Sequence, residues 1–428
     1  MGKKWQTTKI EDIAKSLAMG PFGSDIKTDN FVPSGVPIIR GSNFTSGRFT
    51  SGEFVYLTES KADELRAANA YPDDIVFTHR GTLGQVGIVP KEPFPRYVVS
   101  QSQMRLTCKR DLAEPLFVYY FFRSPQGQYA LLMNTSQTGV PAISRPLTSL
   151  RQIDIPLPLL PEQKAIADIL GSLDDKIELN RRTNETLEAM ARAIFKSWFV
   201  DFDPVHAKSK GHQPDGMDAE TARLFPSSFE ESEIGLVPKG WRVQPLDAIA
   251  NFLNGLACQK YPPTGDDSLP VIKIADLRNG VSDTTDRASP AVGADYIVKN
   301  GDVLFSWSGS LLVKIWTGGK GVLNQHLFKV TSDSFPRWFY YFWVREHLLE
   351  FQSIAQDKAT TMGHIKRHHL TDAMVVVPDP EVLKKADAII APLVESCVQC
   401  DEESAMLSEA RDALLPRLLS GEITVEKA

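Results

Sequence analysis

The 428-residue sequence has no uninterrupted apolar run long enough to span a bilayer, and its first residues, MGKKWQTTKIEDIAKSL, lack the apolar core of a secretion signal. The chain is therefore expected to be cytoplasmic. Cysteine is scarce, and its four residues form no even framework of disulfides, in keeping with a reducing compartment. Signatures of catalysis are missing as well. No GxxxxGK[ST] phosphate loop occurs, and GQVGIV and TGGKGV lack its spacing. No NPPY-like or DPPF-like adenine methyltransferase motif is present, since DFDP at 201–204 has neither the second proline nor the aromatic after it. The metal-nuclease pattern PD…(D/E)xK fails after Pro72-Asp73 and again after Pro378-Asp379, where Lys384 and Lys385 complete no metal-site triplet. A net charge of −6 gives no globally basic surface, so any phosphate-binding patch has to be local.

What is present is a chain of 42% hydrophobic and 23% charged residues, globular and long enough for two or three domains. It carries a long internal repeat. VPIIRGSNF (36–44) answers LPVIKIADL (269–277), and DDIVFTHRG (73–81) answers GDVLFSWSG (301–309). SQSQMRLT (100–107) pairs with NQHLFKVT (324–331), FVYYFF (117–122) with WFYYFW (338–343), and IPLP (155–158) with VVVP (375–378). The offset drifts from 233 to 220, so loops differ while elements persist. The two aromatic runs, at helical spacing, read as core rather than as base-stacking platforms.

Beyond the prolines both copies become helical at a constant offset of 220. Ile166, Leu170, Leu173, Ile177, Asn180, Asn184, Leu187, Ala191, Ile194 and Trp198 follow steps of four and three, a heptad seam. The second copy places Ala386, Ile390, Leu393, Cys397, Cys400, Ser404, Leu407, Arg411, Leu414 and Leu418 in the same register. The CVQC stretch at 397–400 thus reads as small buried seam residues. A zinc site would need two further ligands that no second Cys pair or nearby His supplies, and a redox pair would want a helix N-terminus. Pro392 implies a kink, or a late helix start near Ala391. A lone heptad helix leaves its seam in water, so the economical arrangement is an intramolecular antiparallel pair. About 33 residues of helix at ~1.5 Å each make a rod of roughly 50 Å between two similar α/β globules.

The stretch PLPLLPEQKAIADILGSLDDKIELNRRTNETLEAMARAIFKSWFVDFDP (156–204) resembles the central region of the DNA-specificity subunit of type I restriction-modification systems, and LLPRLLSGEI (414–423) resembles the end of its distal region. The second helix departs from the pattern at its entry, where DPEVLKKADAII stands in place of the usual Glu-Gln-containing segment. The resemblance implies a non-catalytic subunit binding double-stranded DNA, with each recognition domain reading one half of a bipartite site. The helices would set the spacing and dock two methyltransferase subunits, and restriction subunits would join the full complex. S-adenosylmethionine, ATP and magnesium would then belong to the partners, with no cofactor on this chain. The fold class expected is two tandem α/β (α+β) target-recognition domains, separated by two long helices forming an intramolecular antiparallel coiled coil with a pseudo-twofold repeat. Its segments are recognition domain 1 (1–157), central helical region (158–200), linker (201–239), recognition domain 2 (240–378) and distal helical region (379–428).

Candidate DNA contacts come from loops that recur in both copies. TTMGHIKRHHLTD offers His364, Lys366 and Arg367 as a local basic patch after hydroxyls and a glycine, and SQTGVPAISRP offers Thr138 and Arg145 in the same order. His364, His368 and His369 could suggest a metal cluster, but only Asp372 stands near them as a further ligand, so no metal site is expected. THRGTLGQ contributes Thr78, His79, Arg80 and Gln85, and SWSGSLLVK contributes Ser306, Ser308 and Lys314. GPFGSDIKTDN with Ser24 and Lys27 parallels NGLACQKY with Gln259 and Lys260. The segment DPVHAKSKGHQPDGMDAETARLFPSSFEESEIGLVPKGW, rich in Pro, Gly, Ser and acids, reads as a linker. Two rival classes remain: a self-contained modification enzyme with fused recognition domains, and a structural coiled-coil adaptor without DNA selectivity.

Overall fold

A computed structural model of the chain describes residues 5–23, 25–44, 47–136, 139–264, 267–357 and 363–425. It is a mixed α/β molecule that divides into two compact units, residues 1–179 with 406–428, and residues 180–405.

In the first unit the central sheet is built from β1 (Ala14–Met19), β2 (Ile75–Thr78), β3 (Val86–Ile88) and β4 (Gln103–Cys108) in the order β1-β4-β2-β3. In the second, β5 (Asn251–Asn254), β6 (Val303–Ser306), β7 (Val313–Ile315) and β8 (Leu327–Thr331) take the order β5-β8-β6-β7. The sequence repeat is thus a repeat of topology. Each copy is closed by an antiparallel pairing of its first and last strands, Gln6–Lys9 with Asp154–Leu157, and Arg242–Pro245 with Met374–Val377. Each also contains a pair of parallel strands, with Ile38 opposite Val98 in the first and Val271 opposite Val322 in the second.

The continuous apolar runs IVFT and VLFS follow from this position, because both faces of a central strand are covered. Ile75 and Phe77 point into one core cluster and Val76 into another, while Val303 and Phe305 are separated from Leu304 in the same way. The turn entering each strand needs a left-handed residue; Asp73 (φ 71°) supplies it in one copy and Gly301 (φ 87°) in the other. An ion pair recurs beside each turn, Arg105–Asp74 at 3.8 Å and Lys329–Asp302 at 3.1 Å. The aromatic runs lie on helices α1 (Pro115–Arg123) and α3 (Arg337–Glu346), where every residue from 117 to 122 and from 338 to 343 is buried, as core.

The two long helices, α2 (Leu160–Phe199) and α4 (Pro380–Leu419), are each 40 residues, longer than the 33 expected. None of the twenty heptad positions is exposed. Ile166, Leu170, Leu414 and Leu418 join the aromatic core of the first unit. Ala191, Ile194, Trp198, Ala386, Ile390 and Leu393 join that of the second. A late start near Ala391 does not occur: α4 begins at Pro380 behind Asp379, whose carboxylate accepts from the Glu381 N–H at 3.0 Å. Pro392 lies on the exposed side, where water can satisfy the carbonyl that its missing N–H leaves free.

Cys397 and Cys400 sit on the seam but are half-buried, not fully buried as expected. Their layer is polar. Asn180 donates to the Cys400 carbonyl at 3.3 Å and to Glu403 at 2.8 Å, and Asn184 donates to the Cys397 carbonyl at 3.2 Å and to Asp401 at 2.6 Å. Burial, followed by the negative charge of Asp401, pushes the Cys397 thiol up to about 11, which leaves it a thiol near neutral pH. Residues 201–239, expected as a linker, fold onto the second unit. They form helices Asp203–Ser209 and Ala219–Leu224 and the hairpin of Phe229–Ser232 with Gly235–Pro238. Val205, Phe225 and Val237 enter its core, and their burial overrides the turn-rich composition that suggested a boundary.

Candidate nucleic-acid interface

Each unit gathers three of its repeat-equivalent loops at the ends of its central sheet. In the first, His79 N–H donates to the Ser102 carbonyl and Ile143 N–H to the His79 carbonyl, both at 2.9 Å, and Gly81 N–H reaches the Pro141 carbonyl at 2.9 Å. In the second, Ile365 N–H donates to the Trp307 carbonyl at 3.0 Å and Gly309 N–H to the Gly363 carbonyl at 2.8 Å. The loop after the first sheet strand is brought in by a glycine whose backbone lies against its neighbour. A Cβ on Gly20 would fall 1.9 Å from the Ser100 carbonyl oxygen, and one on Gly255 2.2 Å from that of Asn324. Only glycine permits that approach.

The loops therefore bring together side chains that lie far apart in sequence, but not in equal roles. Lys27, Arg80 and Arg145 are exposed in the first unit, and Gln259, Lys260, His364, Lys366 and Arg367 in the second. Ser24 and Thr138 lie outside the described residues. Arg145 is held at φ 46°, an uncommon conformation for a residue with a side chain, at the start of a helix turn. Its counterpart Arg367 donates to the Phe252 carbonyl at 3.1 Å and lies over the Phe328 ring at 5.7 Å. The remaining candidates are spent on protein hydrogen bonds. Thr78 is buried and donates to Gln85 at 2.9 Å, while the half-buried Gln85 donates to the Gly41 carbonyl at 3.1 Å. Ser306 donates to the Ser310 carbonyl at 2.7 Å, and Ser308 meets His326 Nδ1 at 2.9 Å. Lys314 is half-buried, and its charge favours the ionised form of Asp401 on α4.

His79 is buried with Nε2 3.0 Å from the Gln101 carbonyl, and burial lowers its pKa from the ordinary 6.5, so the neutral ring donates there. Trp307 occupies the same place in the second copy and donates Nε1 to the Gln325 carbonyl at 3.1 Å and to Asn254 at 3.0 Å. Its ring packs against His326 and His364. Trp307, Asn254 and Phe22 were not among the sequence candidates; for Trp307 the signal was its alignment with His79. Among the described residues no group of three or more His, Cys, Asp or Glu side chains is arranged to hold a metal ion.

Residues 2–189 match the type I restriction modification DNA specificity domain. Over that stretch the chain is similar to the type I DNA-specificity family. It is 25% identical over 440 residues to the MjaIX type I restriction enzyme specificity subunit of Methanocaldococcus jannaschii, covering 99% of this chain and 95% of that protein. The HindI specificity subunit of Haemophilus influenzae is 28% identical over 76% of this chain and 81% of its own length. The S subunit of a type I restriction-modification system from M. genitalium shares the fold, with a TM-score of 0.56 at 16% identity, covering 99% of this chain and 97% of that one. Among the described residues no helix is long and apolar enough to cross a membrane.

Proposed function

We propose that this chain is the non-catalytic, sequence-specific DNA-binding subunit of a type I restriction-modification complex, each loop cluster reading one half of a bipartite site. The observation that carries the reading is the duplicated set of loops on a duplicated sheet, with Arg80 and Arg145 exposed in one copy and Lys366 and Arg367 in the other. Such loops can fix phosphates with cations and read base edges with neighbouring polar groups. The long helices, with their unexposed heptad positions, act as an antiparallel coiled-coil spacer between the recognition domains and dock two methyltransferase subunits. Restriction subunits complete the assembly. Methyl transfer with S-adenosylmethionine and ATP-driven, magnesium-dependent cleavage are supplied by the partners, in the cytoplasm.

Methylome sequencing of cells carrying the chain with its modification partner tests this directly. A bipartite adenine-methylated motif is expected, and exchanging residues 1–155 for the corresponding domain of another such subunit should change one half of it only. Simultaneous change of both halves would show that the domains do not read separately, and a chain that methylates DNA alone would be an enzyme.

A further inference from the structure

In the first unit the loop after β1 carries Phe22 with 84% of its surface in water, the most exposed large apolar side chain in the described structure. The loop is stiff. Gly20 lies against the Ser100 carbonyl, Pro21 follows, and a reciprocal pair of hydrogen bonds ties the tip, with Phe22 N–H donating to Asp25 Oδ2 at 3.1 Å and Asp25 N–H to the Phe22 carbonyl at 2.9 Å. Phe22 stands on the rim of a cleft of about 650 Å³ that also holds Arg66, Arg80 and His79. The two carboxylates there are engaged, Asp25 by the Phe22 N–H and Glu64 by Lys61 at 2.8 Å. Among the described residues neither Arg66 nor Arg80 forms an ion pair, and Asp25, held by a backbone N–H, keeps its charge, so the rim pairs an exposed ring with two cations and one anion.

That combination fits polyanionic duplex DNA: cations hold phosphates, and a preorganised aromatic meets bases without paying to order a flexible side chain. A protein partner of the usual kind would be expected to cover a contiguous apolar patch rather than one ring. We infer that Phe22 makes an apolar contact with a base in the half-site read by the first unit, and so is a specificity-determining residue. The inference rests on the DNA-specificity reading above. The second unit lacks the contact, because the residue two beyond its matching glycine is Ala257, half-buried and without a ring.

Two geometries supply the contact, a thymine methyl met in the major groove or a base step opened by the ring. The full chain, assembled with its modification partner, would be titrated against a duplex carrying the motif found by methylome sequencing and against duplexes with either half-site scrambled. F22A is expected to weaken binding to the intact motif by about tenfold. It should leave affinity for the duplex with the first half-site scrambled unchanged, and F22W should restore most of the loss. Replacing each thymine of that half-site by deoxyuridine reproduces the loss if a methyl is touched. Fluorescence of 2-aminopurine rises on binding, and fails to rise with F22A, if a step is opened. Selective binding that F22A does not alter would overturn this inference alone. A wild-type complex that binds the motif no better than fully scrambled DNA would overturn the specificity reading with it.

Discussion

Two places in the repeat are filled with polar groups in the first unit and apolar groups in the second. Beneath the candidate DNA-binding loops, the first unit has Gly41, Gln85 and Gln103, and the two amides link Thr78, Ser100 and the Gly41 carbonyl. The second unit has Ile274, Leu312 and Leu327, which pack with Ile272 and Leu304. At the helix packing, the first unit has Asp174 and Arg411, paired at 2.7 Å, with Tyr120 donating to the same carboxylate at 2.6 Å. The second has Val394 and Ala191 at the equivalent positions, both in its aromatic core. The backbone frame survives either lining because each change comes as a set. The Gln85 amide lies beside Gly41, its Oε1 in ordinary contact range, 3.5 Å, of where a Cβ would stand, while Ile274 and Leu312 fill the equivalent space with carbon. A frame that tolerates such exchange can carry different loops over an unchanged sheet, which is what the proposed reading of two different half-sites requires.

The strongest way to break the comparison is to remove half of the buried ion pair. Asp174 is 9% exposed, so Arg411→Ala leaves its charge with only Tyr120 and should cost about 3–5 kcal/mol in urea unfolding. Burial alone would lower the Arg411 pKa, yet Asp174 and Asp412 outweigh it and hold it above the ordinary guanidinium value. Adding Asp174→Val, which copies the second unit's lining, should recover most of the loss; no recovery would show that the polar set is required for the first unit to fold.

A smaller effect is expected under the loops. Gln103→Leu installs the second unit's residue alone and leaves Ser100 and Thr78 without their amide, at about 1–3 kcal/mol. The triple change with Gln85→Leu and Gly41→Ile should cost less than the sum of its parts, measurable in the same unfolding series.

The smallest effect concerns pH and separates His79 from Trp307. Burial lowers the His79 pKa below its unfolded value of 6.5, so as pH falls through 6.5 the unfolded chain takes up the proton first and stability is lost. Above 6.5 that contribution is fully present. His79→Trp, which copies the second unit, should flatten the decline in melting temperature between pH 7.5 and 5.5; an equally steep decline would place the titration elsewhere.

The legible parts of the sequence were those in which neighbouring residues carry the pattern. Steps of four and three marked the seams of α2 and α4 across their length, and the aromatic runs at 117–122 and 338–343 were correctly read as core. Composition misled at 201–239, because a few apolar residues, Phe225 and Val237 among them, outweigh many turn formers once a core is available. The loops TGVPAISR and THRG were each marked by a counterpart in the other copy, but their adjacency to one another is made by backbone bonds between residues 60 or more positions apart.

By itself, then, the sequence determined the duplication, the strands, the helices and the place of the cysteines on the seam, since apolar periodicity and repeat register are local properties of a chain. Tertiary structure alone decided which polar loop residues face solvent. Thr78, Gln85, Ser306 and Ser308 look as available in sequence as Arg80 and Lys366, and are withdrawn only because partners brought from elsewhere in the fold satisfy them. The same holds for Arg411, which breaks an apolar seam on paper and is at home there because Asp174, 237 residues away in the chain, meets it. Hydrogen-bond satisfaction of a buried polar group is a property of three-dimensional neighbours, and no window of sequence contains them.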